Sequence, residues 1–342
     1  MKVLVIGKFD EESFGNHICD GLIEQGHTPI QFSKGINYWH FKVQSLNRIN
    51  MIKLAAYNLS QSIPALRTIE FKSLKNILEK FKNEIAFTIV THDFLTPLEV
   101  LEIKKNTKNP VIIWFPDAIV NFGKAMFLAA EYDALFFKDP YIVNTLKREI
   151  NKPIYYLPEC CNPKVHNIYS YNKKDIEKYS CDITTAGNFY SNRFSLFNQL
   201  ADYYTNIKIW GNPPTLWMNT QKVDSFIMGE YVVHKEKSKA FQLGKIVLNN
   251  LHPAEISGIN CRAFEIPAMG GFQLISWRQS ISDLFIEGEE IETYKTFDEL
   301  LEKLNYFLNN NSKRELIAKK GYDRVQRDHT YSKRLSSIFN LF

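Results

Sequence analysis

The chain has 342 residues, 45% of them hydrophobic and 23% charged, with a net charge of +5. That length exceeds what one core usually fills, so two domains are expected, and the composition is that of an ordinary globular protein rather than a disordered or fibrous one. No apolar run approaches the ~18 residues of a membrane span. Five cysteines without paired spacing fit neither a disulfide framework nor a zinc ligand set, and residues 1–6 run straight into a strand without a signal-peptide pattern. A reducing cytoplasm is the expected setting.

Apolar strands and amphipathic helices alternate from the start. Strands are predicted over residues 2–6, 28–32, 85–91, 111–115, 134–138 and 154–157, with a helix over 14–25 closed by Gly26 and long helical patterns within 43–82. This alternation predicts a doubly wound parallel sheet. Such sheets bind ligands outside the carboxyl ends of their strands. Those ends carry Gly7, Lys8, His92, Asp93 and Asp117, and His92, Asp93 and Asp117 are the candidate catalytic residues, each able to act as a general base. A cap or turn is the alternative role for His92 and Asp93. Residues 34–82 hold nine Lys/Arg against Glu70 and Glu79. Two readings stand for that stretch: a docking face for an acidic ligand or an anionic membrane surface, or the solvated faces of helices.

Residues 158–178 read as a linker, and a second α/β unit begins with a strand over 181–186. It runs into Gly187, Asn188 and Arg193, a turn that lets backbone approach a phosphate beside one guanidinium; an ordinary Asn-containing turn is the other reading. Further strands are predicted over 207–210, 231–233 and 246–251, with a helix over 235–242. The polar loop from His252 then leads to a short helix with Asn260 as its cap, a stop at Gly270 and Gly271, and a last apolar strand. A helix start offers unpaired N–H groups, so the loop from Gly258 to Cys261 could hold a phosphate, with Arg262 beside it and Glu265 one turn in. Pro267 forfeits one hydrogen bond of that helix. Helices over 298–308 and 312–327 follow, with a terminal segment over 329–342. No Asp-x-Asp pair, His-Glu-x-x-His, Gly-x-Gly-x-x-Gly or Gly-x-Ser-x-Gly occurs, which removes the main support for metal-dependent, dinucleotide-binding and serine-hydrolase chemistries.

Counted from Pro253, residues Ser257, Gly258, Glu265 and Gly270 fall in register with the Pro, Glu-Gly, Glu and Gly pattern of GT-B glycosyltransferases of the family-four-like clan, with Ser257 in place of the first Glu. Residues 258–274 resemble more closely the Gly-Ile-Asn-x-Arg-x-Phe-Glu and Gly-Gly-Phe-Gln-Leu block of the CgeB-like (spore maturation protein) glycosyltransferases. The resemblance implies an α/β GT-B fold, two Rossmann-like doubly wound domains facing a central cleft. An acceptor-side domain would span 1–165, with residues 329–342 crossing back to it, and a donor domain 178–328. It implies metal-independent transfer of a sugar from a nucleotide diphosphate donor to a hydroxyl of a glycan, lipid-linked or small-molecule acceptor, with no other cofactor and no nucleic acid. Glu265 would hydrogen-bond the ribose, and Gly187, Asn188 and Arg193 would line the diphosphate. Ser257, Gly258, Ile259, Asn260 and Arg262 would complete the donor site. Tyr231 would stack on the base or be a core tyrosine. The serine at 257 leaves a second reading, a non-catalytic glycan-binding or coat-associated protein, and a nucleotide-sugar epimerase is a third.

Overall fold

The computed structural model describes residues 1–33, 59, 63–215 and 217–342. Of the side chains in the basic stretch 34–82, only those at 59, 63 and 71–82 are described, so the expected docking face lies mostly outside the described residues. Lys75 and Lys80 stand over the rings of Phe71 and Phe81 at 5.0 and 5.1 Å, and Lys75 also pairs with Glu102. No described helix is long and apolar enough to cross a membrane.

Two compact units make up the chain, residues 1–158 with 331–342, and residues 159–330. Sequence reading set the limits at 165 and 178. Residues 159–177 go with the second unit because Cys161 bridges Thr330 and donates its N–H to His329 O.

In the first unit, β1 (Lys2–Ile6), β2 (Thr28–Phe32), β3 (Ile85–Thr91), β4 (Val111–Phe115), β5 (Ala134–Phe137) and β6 (Ile154–Tyr156) form one parallel sheet in the order β2-β1-β3-β4-β5-β6. Val3 to Ile6 and all of β4 are buried, the signature of strands covered on both faces. Helices begin where the sequence supplies caps. Ser13 Oγ accepts from Asn16 N ahead of Phe14–Glu24, and Thr96 and Glu99 form a reciprocal box ahead of Pro97–Thr107. The helix Tyr331–Phe339 completes this unit. Tyr331 packs on Phe14 and Trp114, Phe339 on Phe87 and His27, and Gln25 Nε2 donates to Ser332 O and Ser336 Oγ.

The second unit carries β7 (Cys181–Ala186), β8 (Ile207–Trp210), β9 (Gly244–Asn249), β10 (Gln273–Ser276) and β11 (Glu292–Tyr294), parallel in the order β11-β10-β9-β7-β8. One core joins Ile183, Phe197, Ile209, Ile246, Leu248, Leu274 and Leu304; others gather around Phe264, Phe285 and Val325, and around Trp210, Phe241 and Ile266. The expected strand over 231–233 is not formed. Ile227 bridges Ile209 and Gly211 N donates to Glu230 O, after which the chain leaves the sheet. The strand expected over 246–251 sits two residues earlier, at 244–249. Each sheet reverses direction of growth beside its first strand, between β1 and β3 and between β7 and β9. At such a switch point the loops part and leave room for a ligand.

Candidate functional site

The switch point of the second sheet is built by Gly187 after β7 and Asn250 after β9. Arg193, in the helix Ser191–Leu200, ties the two loops together: Nε donates to Asn250 Oδ1 at 3.0 Å and Nη1 to Asn188 O at 2.7 Å. It is 1% exposed, and burial, followed by the charge of Arg262, holds its guanidinium well below the usual arginine value. Arg262 approaches from the other side and donates Nη1 to Ala186 O at 2.9 Å. A side-chain carbon placed on Gly187 would lie 3.1 Å from Arg262 Nη1 and 3.6 Å from Arg193 Nη1, so both cations crowd against one glycine. Among the described residues, no carboxylate pairs with either of them. Two neighbouring cations in a partly dry place repel each other unless an anion joins them.

Asn188 also accepts at Oδ1 from Asn212 Nδ2 and donates Nδ2 to Tyr190 OH, while the Tyr190 ring meets His252 edge-on at 5.3 Å. The rim thus presents amides, a phenol and an imidazole around the two guanidiniums. Gly187 (φ +118) and Gly211 (φ +146) occupy left-handed backbone, and a carbon added to Gly211 would stand 2.1 Å from Gly187 O. Gly211→Ala is therefore expected to lower stability by about 3 kcal/mol or more, read as a drop in the urea midpoint.

The block from 249 to 273 is held by a buried amide network. Asn249 and Asn260 exchange side-chain hydrogen bonds at 3.1 Å, and Asn249 Nδ2 also reaches Gln273 Oε1 at 2.8 Å. Asn260 caps as expected, its Oδ1 accepting from Ala263 N, although the helix proper begins at Arg262. Pro267 cannot donate to Ala263 O, and Gln273 Nε2 takes that place at 3.1 Å. The N–H groups of Ala263, Phe264 and Glu265 already have acceptors in Asn260 and Cys261. Anion binding at this end therefore rests on the guanidiniums rather than on those three amides. Ser257, Gly258 and Ile259 are buried in the loop leading in, with Ser257 O accepting from Ser280 N.

Glu265 is only 8% exposed, and its carboxylate lies between two basic groups, Lys237 Nζ at 3.2 Å and His166 Nε2 at 3.6 Å. Sequence reading did not foresee either neighbour. Burial raises the thiol pKa of the adjacent Cys261 well above its usual value, with Glu265 and Glu159 adding to the effect. Tyr231 is 56% exposed in irregular chain beyond Glu230, so it is not a core tyrosine.

The first sheet has its own rim. Lys8 follows β1, His92 follows β3, Asp117 follows β4 and Lys138 follows β5. His92 Nε2 lies 3.2 Å from Asp117 Oδ2. Burial works to raise the Asp117 pKa, but His92, Lys138 and Lys8 outweigh it and the carboxyl is held below its ordinary value. Lys8 is pushed down by burial, against Asp117 and Asp10. Asp93 turns away: its two oxygens accept from Met126 N at 2.9 Å and Phe127 N at 3.0 Å, capping the helix Met126–Ala129. The structure thus brings His92 and Asp117 together and gives Asp93 a backbone to hold.

A family profile described as glycosyl transferase-like matches residues 193–340. A search of curated proteins found no match. Among solved structures, the chain is similar to sucrose-phosphate synthase from Thermosynechococcus elongatus, with a TM-score of 0.69 at 10% identity over 99% of this chain and 98% of that one. It is also similar to Anabaena HepE in complex with UDP-glucose, with a TM-score of 0.64 at 9% identity over the whole of both chains. A glycosyltransferase from Rickettsia africae superposes with a TM-score of 0.65 at 11% identity, over 99% of this chain and 97% of its own. With its two parallel-sheet α/β units, the chain has the GT-B fold.

Proposed function

We propose that this GT-B chain is a glycosyltransferase that moves a hexosyl or related sugar from a nucleotide diphosphate donor to a hydroxyl of a glycan, lipid-linked or small-molecule acceptor. The observation that carries it is the convergence of Arg193 and Arg262 on Gly187 at the sheet's switch point, with no carboxylate partner among the described residues. Charge builds on the leaving diphosphate as the glycosidic bond breaks, and fixed cations placed there favour that state over the ground state. Two guanidiniums supply this charge without a divalent metal. The matched residues 193–340 contain both arginines and Glu265, and HepE, of the same fold, was solved with UDP-glucose.

In this reading Gly187, Asn188, Arg193 and Arg262 line the diphosphate, with Gly258 to Asn260 forming the adjoining wall. Exposed Tyr231 would stack on the base, and Glu265 would meet the ribose from its place between Lys237 and His166. The likeness of residues 258–274 to the CgeB-like block supports reading the chain as a transferase of that kind acting in the cytoplasm, and the basic stretch 34–82 would receive a charged acceptor or an anionic membrane surface. Arg262→Gln removes one cation without stranding a buried carboxylate. Its UDP affinity, measured by calorimetry on the folded protein, is expected to fall by roughly 10- to 100-fold, the equivalent of about 1.5–3 kcal/mol for one charge-assisted hydrogen bond. Unchanged affinity would refute the diphosphate assignment.

A further inference from the structure

Glu265 lies in the helix Arg262–Ala268, and each oxygen of its carboxylate has a nitrogen beside it from the same unit. Oε2 accepts from Lys237 Nζ at 3.2 Å, and Oε1 lies 3.6 Å from His166 Nε2. His166 closes a tight turn twice over, its N–H donating to Asn162 O at 2.7 Å and its Nδ1 accepting from Asn162 N at 3.0 Å. An acceptor at Nδ1 puts the proton of the neutral ring on Nε2, so the ring presents an N–H to Glu265. The helix that carries Lys237, His234–Leu243, is tied to the segment that carries His166: Ser238 Oγ donates to Asn167 O at 2.6 Å and Gln242 Nε2 to Tyr169 O at 3.3 Å. Two donors on braced elements thus fix both the position and the plane of the carboxylate. His166 is fully buried and cannot touch a ligand, whereas the side chain of Glu265 keeps 10% of its surface open. A carboxylate has about four acceptor positions, so one that meets a donor at each oxygen still receives hydroxyl protons. A buried ion pair returns little net stability over apolar residues of the same volume, so stability alone does not account for this one.

We propose that Lys237 and His166 are positioning residues that aim Glu265 at the vicinal hydroxyls of the ribose, so that the donors are ribonucleotide sugars rather than 2′-deoxyribonucleotide ones. This rests on the donor-site reading above. A carboxylate held in one plane offers two oxygens side by side, which match two neighbouring hydroxyls donating one to each. A 2′-deoxyribose supplies only one of them and leaves an anionic oxygen in a nearly dry place without its donor, an exchange that a site built around hydroxyls rejects strongly. Without Lys237 or His166 the carboxylate turns out of that plane and the preference is lost. Arg193 and Arg262 keep their places at Gly187, so the diphosphate is still held.

The test measures, by calorimetry on the full chain, the affinities of UDP, 2′-deoxy-UDP and pyrophosphate for the wild-type protein and for His166→Asn and Lys237→Gln. Asparagine keeps an acceptor for Asn162 N and removes the N–H that faces Glu265. Wild-type protein is expected to bind UDP about 10-fold or more tighter than 2′-deoxy-UDP. In each variant the two nucleotides should come within about threefold of each other, with pyrophosphate affinity within about threefold of wild type. A preference kept at its wild-type ratio in either folded variant, even with a lowered urea midpoint, marks a merely stabilising role and overturns the proposal. Where neither variant folds, the wild-type imidazole of His166 decides: nitrogen-15 resonances that move more with UDP than with pyrophosphate support the proposal, and an equal response overturns it. Wild-type protein that fails to bind UDP removes the donor-site reading and this proposal together. UDP bound no tighter than 2′-deoxy-UDP leaves the diphosphate assignment standing and removes this proposal alone.

Discussion

Arg193→Ala is expected to lose both nucleotide affinity and stability. Among the described residues, no other group donates to Asn250 Oδ1 or to Asn188 O, so removing the guanidinium leaves two acceptors at the sheet's switch point without a donor. Each buried acceptor so exposed costs about 1–3 kcal/mol, and a total loss of about 2–4 kcal/mol should appear in urea unfolding. UDP affinity should fall by about 100-fold or more, because the fork and the charge vanish together. Arg193→Lys separates the two effects. It restores a charge but not the two-sided bracing, so affinity should recover in part while the urea midpoint stays low. A folded Arg193→Ala protein that binds UDP as well as wild type would show that no phosphate sits at Gly187.

Glu265→Ala is expected to destabilise the second unit as well as weaken donor binding. Its carboxylate lies against Lys237 and His166 in a place only 8% exposed. Removing one partner of a buried pair typically costs about 3–5 kcal/mol. The double variant Lys237→Met with Glu265→Ala should regain much of that loss, since a cation no longer sits opposite an empty place. Nucleotide affinity should not return with it if Glu265 touches the ribose. Recovery of both in the double variant would make Glu265 a stabilising residue only.

The sheets were largely legible because many of their strands are short continuous runs of apolar residues, such as Val111–Phe115 and Ala134–Phe137, which suit burial on both faces. Residues 231–233 mislead by the same measure: Tyr231, Val232 and Val233 favour strands, but among the described residues no strand pairs with them. Ending β9 two residues late made Asn250 look like strand interior, which hid the acceptor that fixes Arg193. The Asn260 cap was readable because capping is local chemistry. The approach of Arg193 to Arg262 and of Lys237 to Glu265 spans 69 and 28 positions, and only the order of the strands creates such neighbours. Asp93 was ambiguous for a related reason: its backbone partners, Met126 and Phe127, open a short helix that lies beyond the next strand of the chain.

The placement of Tyr331–Phe339 bears on how the protein is made. Residues 159–330 are contiguous and can close as soon as they leave the ribosome, whereas the earlier unit must wait for a helix synthesised after them. Until then the surface around Phe14, Phe87 and Trp114 stays uncovered. Nascent chains stalled before residue 331 should therefore yield a protease-resistant later half and a susceptible earlier one, a reversal of the usual order of synthesis.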